Sequence, residues 1–170
     1  ANIDRAHLEY FRGIANQIGA KVGTEANAEW LKTIITTLNP DNIPGRLTLI
    51  TRLGAHNVQK LLTDMIESVN KLGINVVWSC DPMHGNTQTV NGYKTRDFNH
   101  ILKDLNQTFQ IHKQHNSILA GVHFELTGEN VTECIGGARG LNPEGLKQAY
   151  KTLVDPRLNY EQSLEMAMLI

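Results

Sequence analysis

Apolar positions in this chain follow two periods, and the stretches that follow them alternate. Gly19-Ala20-Lys21-Val22-Gly23 is a very short strand candidate bounded by glycines, and residues 26–38 then read as a helix stopped by Asn39-Pro40. Gly45-Arg46-Leu47-Thr48-Leu49-Ile50-Thr51-Arg52-Leu53-Gly54 reads as a strand ending in glycine. The helix expected over residues 58–72 sets Leu61, Leu62, Met65, Ile66 and Val69 on one face. Ile74-Asn75-Val76-Val77-Trp78-Ser79-Cys80 is a third apolar run, broken by Pro82 and Gly85 and followed by a helix over residues 98–115. A fourth strand is expected over residues 120–128. After it come a long loop, a short helix near 143–153 and a terminal helix from about Tyr160. Leu8, Phe11, Ile14, Ala15 and Ile18 give a further helical pattern at the start.

Strand and helix alternate with no hairpin expected between successive strands; Asn91-Gly92 is read as part of a loop. Such alternation means parallel strands joined by helical crossovers. No Gly-x-Gly-x-x-Gly follows the first strand, which argues against a dinucleotide-binding fold. The expected architecture is α/β: residues 1–170 as one half of an eight-stranded TIM (β/α)8 barrel, with function at the C-terminal ends of the strands. The chain opens without Met inside a helical pattern and stops inside another, around Leu164, Ala167 and Met168, so a piece of a longer polypeptide is expected.

Composition narrows the function classes only a little. With a net charge of −1 and 19% charged residues, nothing strongly basic points to nucleic acid. No apolar run approaches the roughly 18 residues of a membrane span. The two cysteines, Cys80 and Cys134, make no disulfide framework and read as small buried residues in a reducing compartment.

Polar residues at the strand ends are the candidates for chemistry: Lys21, Arg52, Asp81 with His84, and His123 with Glu125. Alternation along the fourth strand places His123 and Glu125 on one face and Val122, Phe124 and Leu126 on the other. An imidazole and a carboxylate suit a divalent Mn, Fe, Co or Zn, and the two cations suit a phosphate or carboxylate. Each has a structural alternative: His84 as a loop hydrogen-bonder, Glu125 as a buried paired carboxylate, His123 as a satisfied core histidine, Lys21 and Arg52 as salt-bridge partners.

A more specific signal lies in the longer motifs. These are Asp81-Pro82-Met83-His84-Gly85-Asn86-Thr87, Lys94-Thr95-Arg96, the run from His123-Phe124-Glu125 through Glu133-Cys134 with Gly136-Gly137, and Asp155-Pro156-Arg157-Leu158-Asn159. With Ala20-Lys21-Val22-Gly23, Gly45-Arg46-Leu47-Thr48-Leu49 and Thr51-Arg52, they resemble the class II (plant-type) 3-deoxy-D-arabino-heptulosonate 7-phosphate (DAHP) synthases over essentially the whole chain.

That resemblance implies strands five to eight of a (β/α)8 barrel and the first step of the shikimate pathway. Phosphoenolpyruvate, erythrose 4-phosphate and water would give DAHP and phosphate. It implies His84, Glu125 and Asp155 as metal ligands, Mn being favoured, and Lys21 and Arg52 as phosphoenolpyruvate contacts, with Lys21 and His84 in catalysis. Lys94 and Asp81 are the implied erythrose 4-phosphate contacts. A homo-oligomeric full-length enzyme is expected, in a bacterial cytoplasm or, for a plant source, a plastid. The chain departs from the family in three ways: its cysteine metal ligand has no counterpart here, its upstream Arg segments are absent, and Thr24-Glu25 stands where it usually has Pro. A half barrel serving as a binding or assembly module with inherited sites is the alternative from another class.

Overall fold

The computed structural model describes residues 6–170. In chain order the elements are α1 (Ala6–Arg12), β1 (Ile18–Val22), α2 (Ala28–Leu38), β2 (Leu47–Thr51), α3 (Val58–Leu72) and β3 (Val77–Cys80). They continue as β4 (Thr87–Val90), β5 (Tyr93–Arg96), α4 (Phe98–Gln114), β6 (Leu119–Val122) and α5 (Tyr160–Leu169). Short 3₁₀ turns cover His84–Asn86 and Pro143–Gln148.

β1, β2, β3 and β6 form one sheet in that order, parallel throughout. Sequential parallel order with helical crossovers is consistent with part of an α/β barrel. The register aligns Val22, Thr51, Cys80 and Val122, so all four strands end together and release their loops at one edge.

Alternate residues decide what each face of the sheet does. Leu47, Leu49 and Trp78 pack against Leu31, Ile34 and Ile35 of α2 and Leu62, Met65 and Ile66 of α3, all buried. Each such side chain contributes about 1.5–3 kcal/mol through removal from water. The opposite face carries Lys21, Ile50, Ser79 and Gly121 in register and is only partly covered. A second cluster, with Met83, Phe98, Ile101, Leu105, Cys134, Leu158 and Met166, lies between α4, α5 and the segment after β6.

Local signals place the helix ends. Asn27 caps α2 by accepting from the Trp30 N–H at 2.9 Å, and Asp97 caps α4 from Asn99 at 2.7 Å. Asn159 and Gln162 form a reciprocal capping box at the start of α5. Gly73 closes α3 in the left-handed conformation at φ 64°. No helix among the described residues is long and apolar enough to cross a membrane.

Three sequence expectations are corrected. Asn91-Gly92 is a hairpin turn: β4 and β5 pair antiparallel around it, and both residues take positive φ, 51° and 80°. The fourth strand stops at Val122, because beyond His123 the chain leaves β3 and bridges through Leu126 to Leu158 instead. The opening helix ends at Arg12, and Ile18 begins β1.

Candidate functional site

The loops leaving the aligned strand ends converge on His84. Asp81, the first residue after β3, is fully buried and receives four donors. Its Oδ1 accepts from the Met83 and His84 N–H groups at 3.0 and 3.1 Å. Its Oδ2 accepts from Lys21 and from His84 Nδ1, the latter at 2.7 Å. Burial alone would raise the Asp81 carboxyl, but Lys21 and the His84 N–H outweigh it and hold it below the usual range. An ionised carboxylate only accepts, so Nδ1 of His84 carries the proton and Nε2 faces away from Asp81.

Nε2 faces two further carboxylates. Glu125 Oε1 lies 3.3 Å from it and Asp155 Oδ2 3.9 Å. One donor atom from each of His84, Glu125 and Asp155 lies within 4.8 Å of the others. The second oxygens of both carboxylates are held from behind by cations. Arg96 Nη1 donates to Glu125 Oε2, and Lys94 Nζ lies 2.6 Å from Asp155 Oδ1 with Arg96 Nη2 at 3.6 Å. Lys94 holds the Asp155 carboxyl below its ordinary value. Each carboxylate thus has one oxygen engaged and one turned toward the imidazole.

An imidazole nitrogen and two carboxylate oxygens brought together this way need positive charge between them, from a proton on Nε2 or a metal ion. The donor set fits a divalent Mn, Fe, Co or Zn, and the Asp81–His84 bond is the outer support a metal-bound imidazole commonly has. Asp81, His84 and His123 also approach one another. That group is a poorer fit, because every Asp81 contact is already taken within the chain.

The loop after β2 is locked to this cluster. Backbone meets backbone at Gly54 and Gly85, where a Cβ on either would sit 2.4 Å from the other's backbone. Behind them Asn86 accepts from Ala55 N–H at 2.9 Å and donates to Pro82 O and Asp104 Oδ2, both at 2.9 Å. Asp104 is buried with no cation paired to it among the described residues, and burial pushes its carboxyl up to about 6. Arg52, just past β2 and beside the end of Lys21's strand, is exposed and makes no ion pair among the described residues.

The structure therefore gathers Lys21, Asp81, His84, Lys94, Glu125 and Asp155, and sets Arg52 on the adjoining loop. His123 is exposed with its ring 6.1 Å from that of His84. Cys80 and Cys134 are buried and free, and burial pushes the Cys134 thiol up to about 12. Sequence reasoning gave Arg96 no role. Its signal was its place two residues from Lys94, which puts both cations on one face of a strand.

With this geometry in view, the family follows. The model of the class-II DAHP synthetase family matches residues 1–170. The chain belongs to that family. It is 52% identical over 171 residues to the phospho-2-dehydro-3-deoxyheptonate aldolase of Neurospora crassa, and 46% identical over 169 residues to that of Mycolicibacterium smegmatis. Each alignment covers 99% of this chain and 36% of the relative, so the chain spans about a third of the length of these relatives.

Proposed function

We propose that the chain is the C-terminal half, strands five to eight, of a (β/α)8 barrel that acts as a DAHP synthase. The reaction condenses phosphoenolpyruvate with erythrose 4-phosphate and water, giving DAHP and phosphate. The observation that carries the reading is the convergence of His84 Nε2, Glu125 Oε1 and Asp155 Oδ2 at the strand ends, in a chain of this family.

His84, Glu125 and Asp155 would hold a divalent cation, Mn being favoured over Co, Fe or Zn. When bound, the cation supplies Lewis acidity toward the aldehyde oxygen of erythrose 4-phosphate. The chain's own residues do the positioning. Lys21 and Arg52 bind the carboxylate and phosphate of phosphoenolpyruvate, Arg52 through its planar fork and Lys21 as a point charge anchored on Asp81. Lys94, half exposed beside Asp155, is placed to take the phosphate of erythrose 4-phosphate. Asp81 acts from behind, fixing the Lys21 ammonium and the His84 tautomer.

With both substrates oriented, the methylene carbon of phosphoenolpyruvate attacks the aldehyde carbon and the new C–C bond forms. Water then adds to the cationic carbon left behind, and phosphate leaves as the keto group forms. Fixing two substrates in line is where such an addition gains most. The complete enzyme is proposed to be a homo-oligomer of the bacterial cytoplasm.

The test is phosphate release from phosphoenolpyruvate by this chain joined to an N-terminal half from a relative. Release that requires both erythrose 4-phosphate and Mn(II) is expected. No release from a folded, metal-loaded protein would overturn the reading in favour of a non-catalytic module.

A further inference from the structure

Arg96 is the largest of the fully buried side chains, and it is a cation. A guanidinium taken out of water loses heavily unless its donors are used. Nε donates to Thr87 Oγ1 at 3.0 Å across the β4–β5 hairpin, and Nη1 donates to Glu125 Oε2 and Pro156 O. Nη2 is buried with no hydrogen-bond partner, 3.6 Å from Asp155 Oδ1. The unpartnered donor and the two carboxylates it lies between are the observations that single this residue out.

We infer that Arg96 is a positioning residue of the candidate metal centre: one rigid fork bonds the rear oxygen of Glu125 and sets a positive charge behind that of Asp155, so that their front oxygens face His84 Nε2. The inference rests on the metal-centre reading above. A lysine cannot do this, because a single ammonium on a flexible stem cannot span two carboxylates in a fixed plane. Thr87 sets the aim of the fork by fixing Nε, which gives the hairpin a purpose: it carries Arg96 in from the side and locks its angle.

Lys94 and Arg96 share Asp155 Oδ1, but in different ways. Lys94 is close, at 2.6 Å, and half exposed; Arg96 is farther, at 3.6 Å, and fully enclosed. Nη2 is a donor in reserve. When Lys94 turns to an incoming anion, Asp155 keeps a cation behind it and its front oxygen stays aimed. The two cations thereby divide between them the tasks of binding an anion and of aiming a ligand.

The experiment is a Mn(II) titration, followed by the electron paramagnetic resonance of free Mn(II), on wild type, Arg96→Lys, Thr87→Val, Glu125→Gln and Phe98→Leu. Each protein's thermal unfolding is recorded alongside. Arg96→Lys keeps the charge and loses the fork, and is expected to weaken Mn(II) binding by about 10–100-fold, as loss of an outer-sphere partner does. Thr87→Val, which only loosens the aim, is expected to weaken it by a smaller factor. Phe98→Leu removes packing from the buried Phe98 next to the same hairpin and is expected to lower the unfolding midpoint with Mn(II) affinity unchanged.

Wild-type Mn(II) affinity in both Arg96→Lys and Thr87→Val, with that of Glu125→Gln weakened about 100-fold, overturns the positioning role alone. Weakening in Phe98→Leu equal to that in Arg96→Lys also overturns it, since packing would then account for the effect. If Arg96→Lys does not fold, Thr87→Val decides by itself: reduced affinity supports the role and unchanged affinity rejects it. A wild type that binds no Mn(II), or a Glu125→Gln variant that binds as the wild type does, overturns the metal centre and this inference together.

Discussion

Two groups of carboxylates in the segment after β6 are treated in opposite ways. Glu133 is fully buried and its oxygens accept from Arg157 N–H, Nε and Nη2 and from Thr152 N–H, at 2.7 to 3.0 Å. Glu125 and Asp155 are partly open, and each offers one oxygen to a cation and the other to His84. A carboxylate with every contact spent holds the fold; one with half its contacts spent can still bind something. The two groups are also linked, because Glu133 grips the chain on both sides of Asp155, at Thr152 and Arg157. The saturated carboxylate fixes the position of the unsaturated one.

The comparison breaks most visibly if Glu133 is removed. Glu133→Ala leaves the Arg157 guanidinium and two backbone N–H groups without their acceptor, and should cost about 3–5 kcal/mol in urea unfolding. Since Arg157 is about a third exposed, the lower end of that range is expected. A loss under about 1 kcal/mol would mean that the clamp is not what orders this segment.

Asp104 sharpens the rule as a buried carboxylate with no paired cation among the described residues. Its carboxyl is pushed up to about 6, while those of Glu133 and Asp155 are held down. The folded state therefore binds the Asp104 proton more tightly than the unfolded state. Its share of stability is greatest below about pH 4 and is lost as pH rises through about 6, by about 3 kcal/mol in all. His112, buried against Trp78, is pushed down to about 4 by burial and by His115. Its contribution has the opposite sign: present above about 6.5 and lost as pH falls through about 4. Unfolding free energy of the wild type should thus change little from these two groups between pH 4 and 6. Asp104→Asn should expose a fall in stability toward acid and His112→Gln a rise. Parallel curves for all three proteins would remove Asp104 from the comparison.

Glu125→Gln tests the unsaturated side. Stability should change by less than about 1 kcal/mol, while Mn(II) affinity drops about 100-fold, equivalent to roughly 2.7 kcal/mol. Calorimetric titration measures both the affinity and its loss. The smallest effect is expected at Arg52→Ala, about tenfold in phosphoenolpyruvate affinity, because this guanidinium is exposed and its contacts compete with water. An unchanged affinity would take Arg52 out of the substrate site.

Much of this organisation was legible from residue spacing. The α3 helix was placed at its observed ends, since Leu62, Met65, Ile66 and Val69 repeat at helical spacing and Gly73 stops them. The sheet strands were found from short apolar runs between glycines. The hairpin was missed although Asn91-Gly92 is its turn, because Thr87–Val90 and Tyr93–Arg96 lack an alternating apolar face and are held by Arg96 and Tyr150 instead. His84 and Glu125 could be picked out as residues near strand ends. Asp155 came only from the resemblance, for it lies in a loop whose position depends on the distant Glu133 and on the Leu126–Leu158 bridge. Arg96 stood in a quoted motif, two residues from Lys94, but was given no role because nothing local to the sequence says that a particular arginine will be buried.

The most direct test of the central claim is a crystal of this chain, or of the protein containing it, soaked in Mn(II) and examined for anomalous scattering. The account predicts a peak between His84 Nε2, Glu125 Oε1 and Asp155 Oδ2, with Arg96 still behind both carboxylates. A peak beside Asp81 and His123 instead, or none among these residues in a crystal that binds Mn(II) elsewhere, would contradict it.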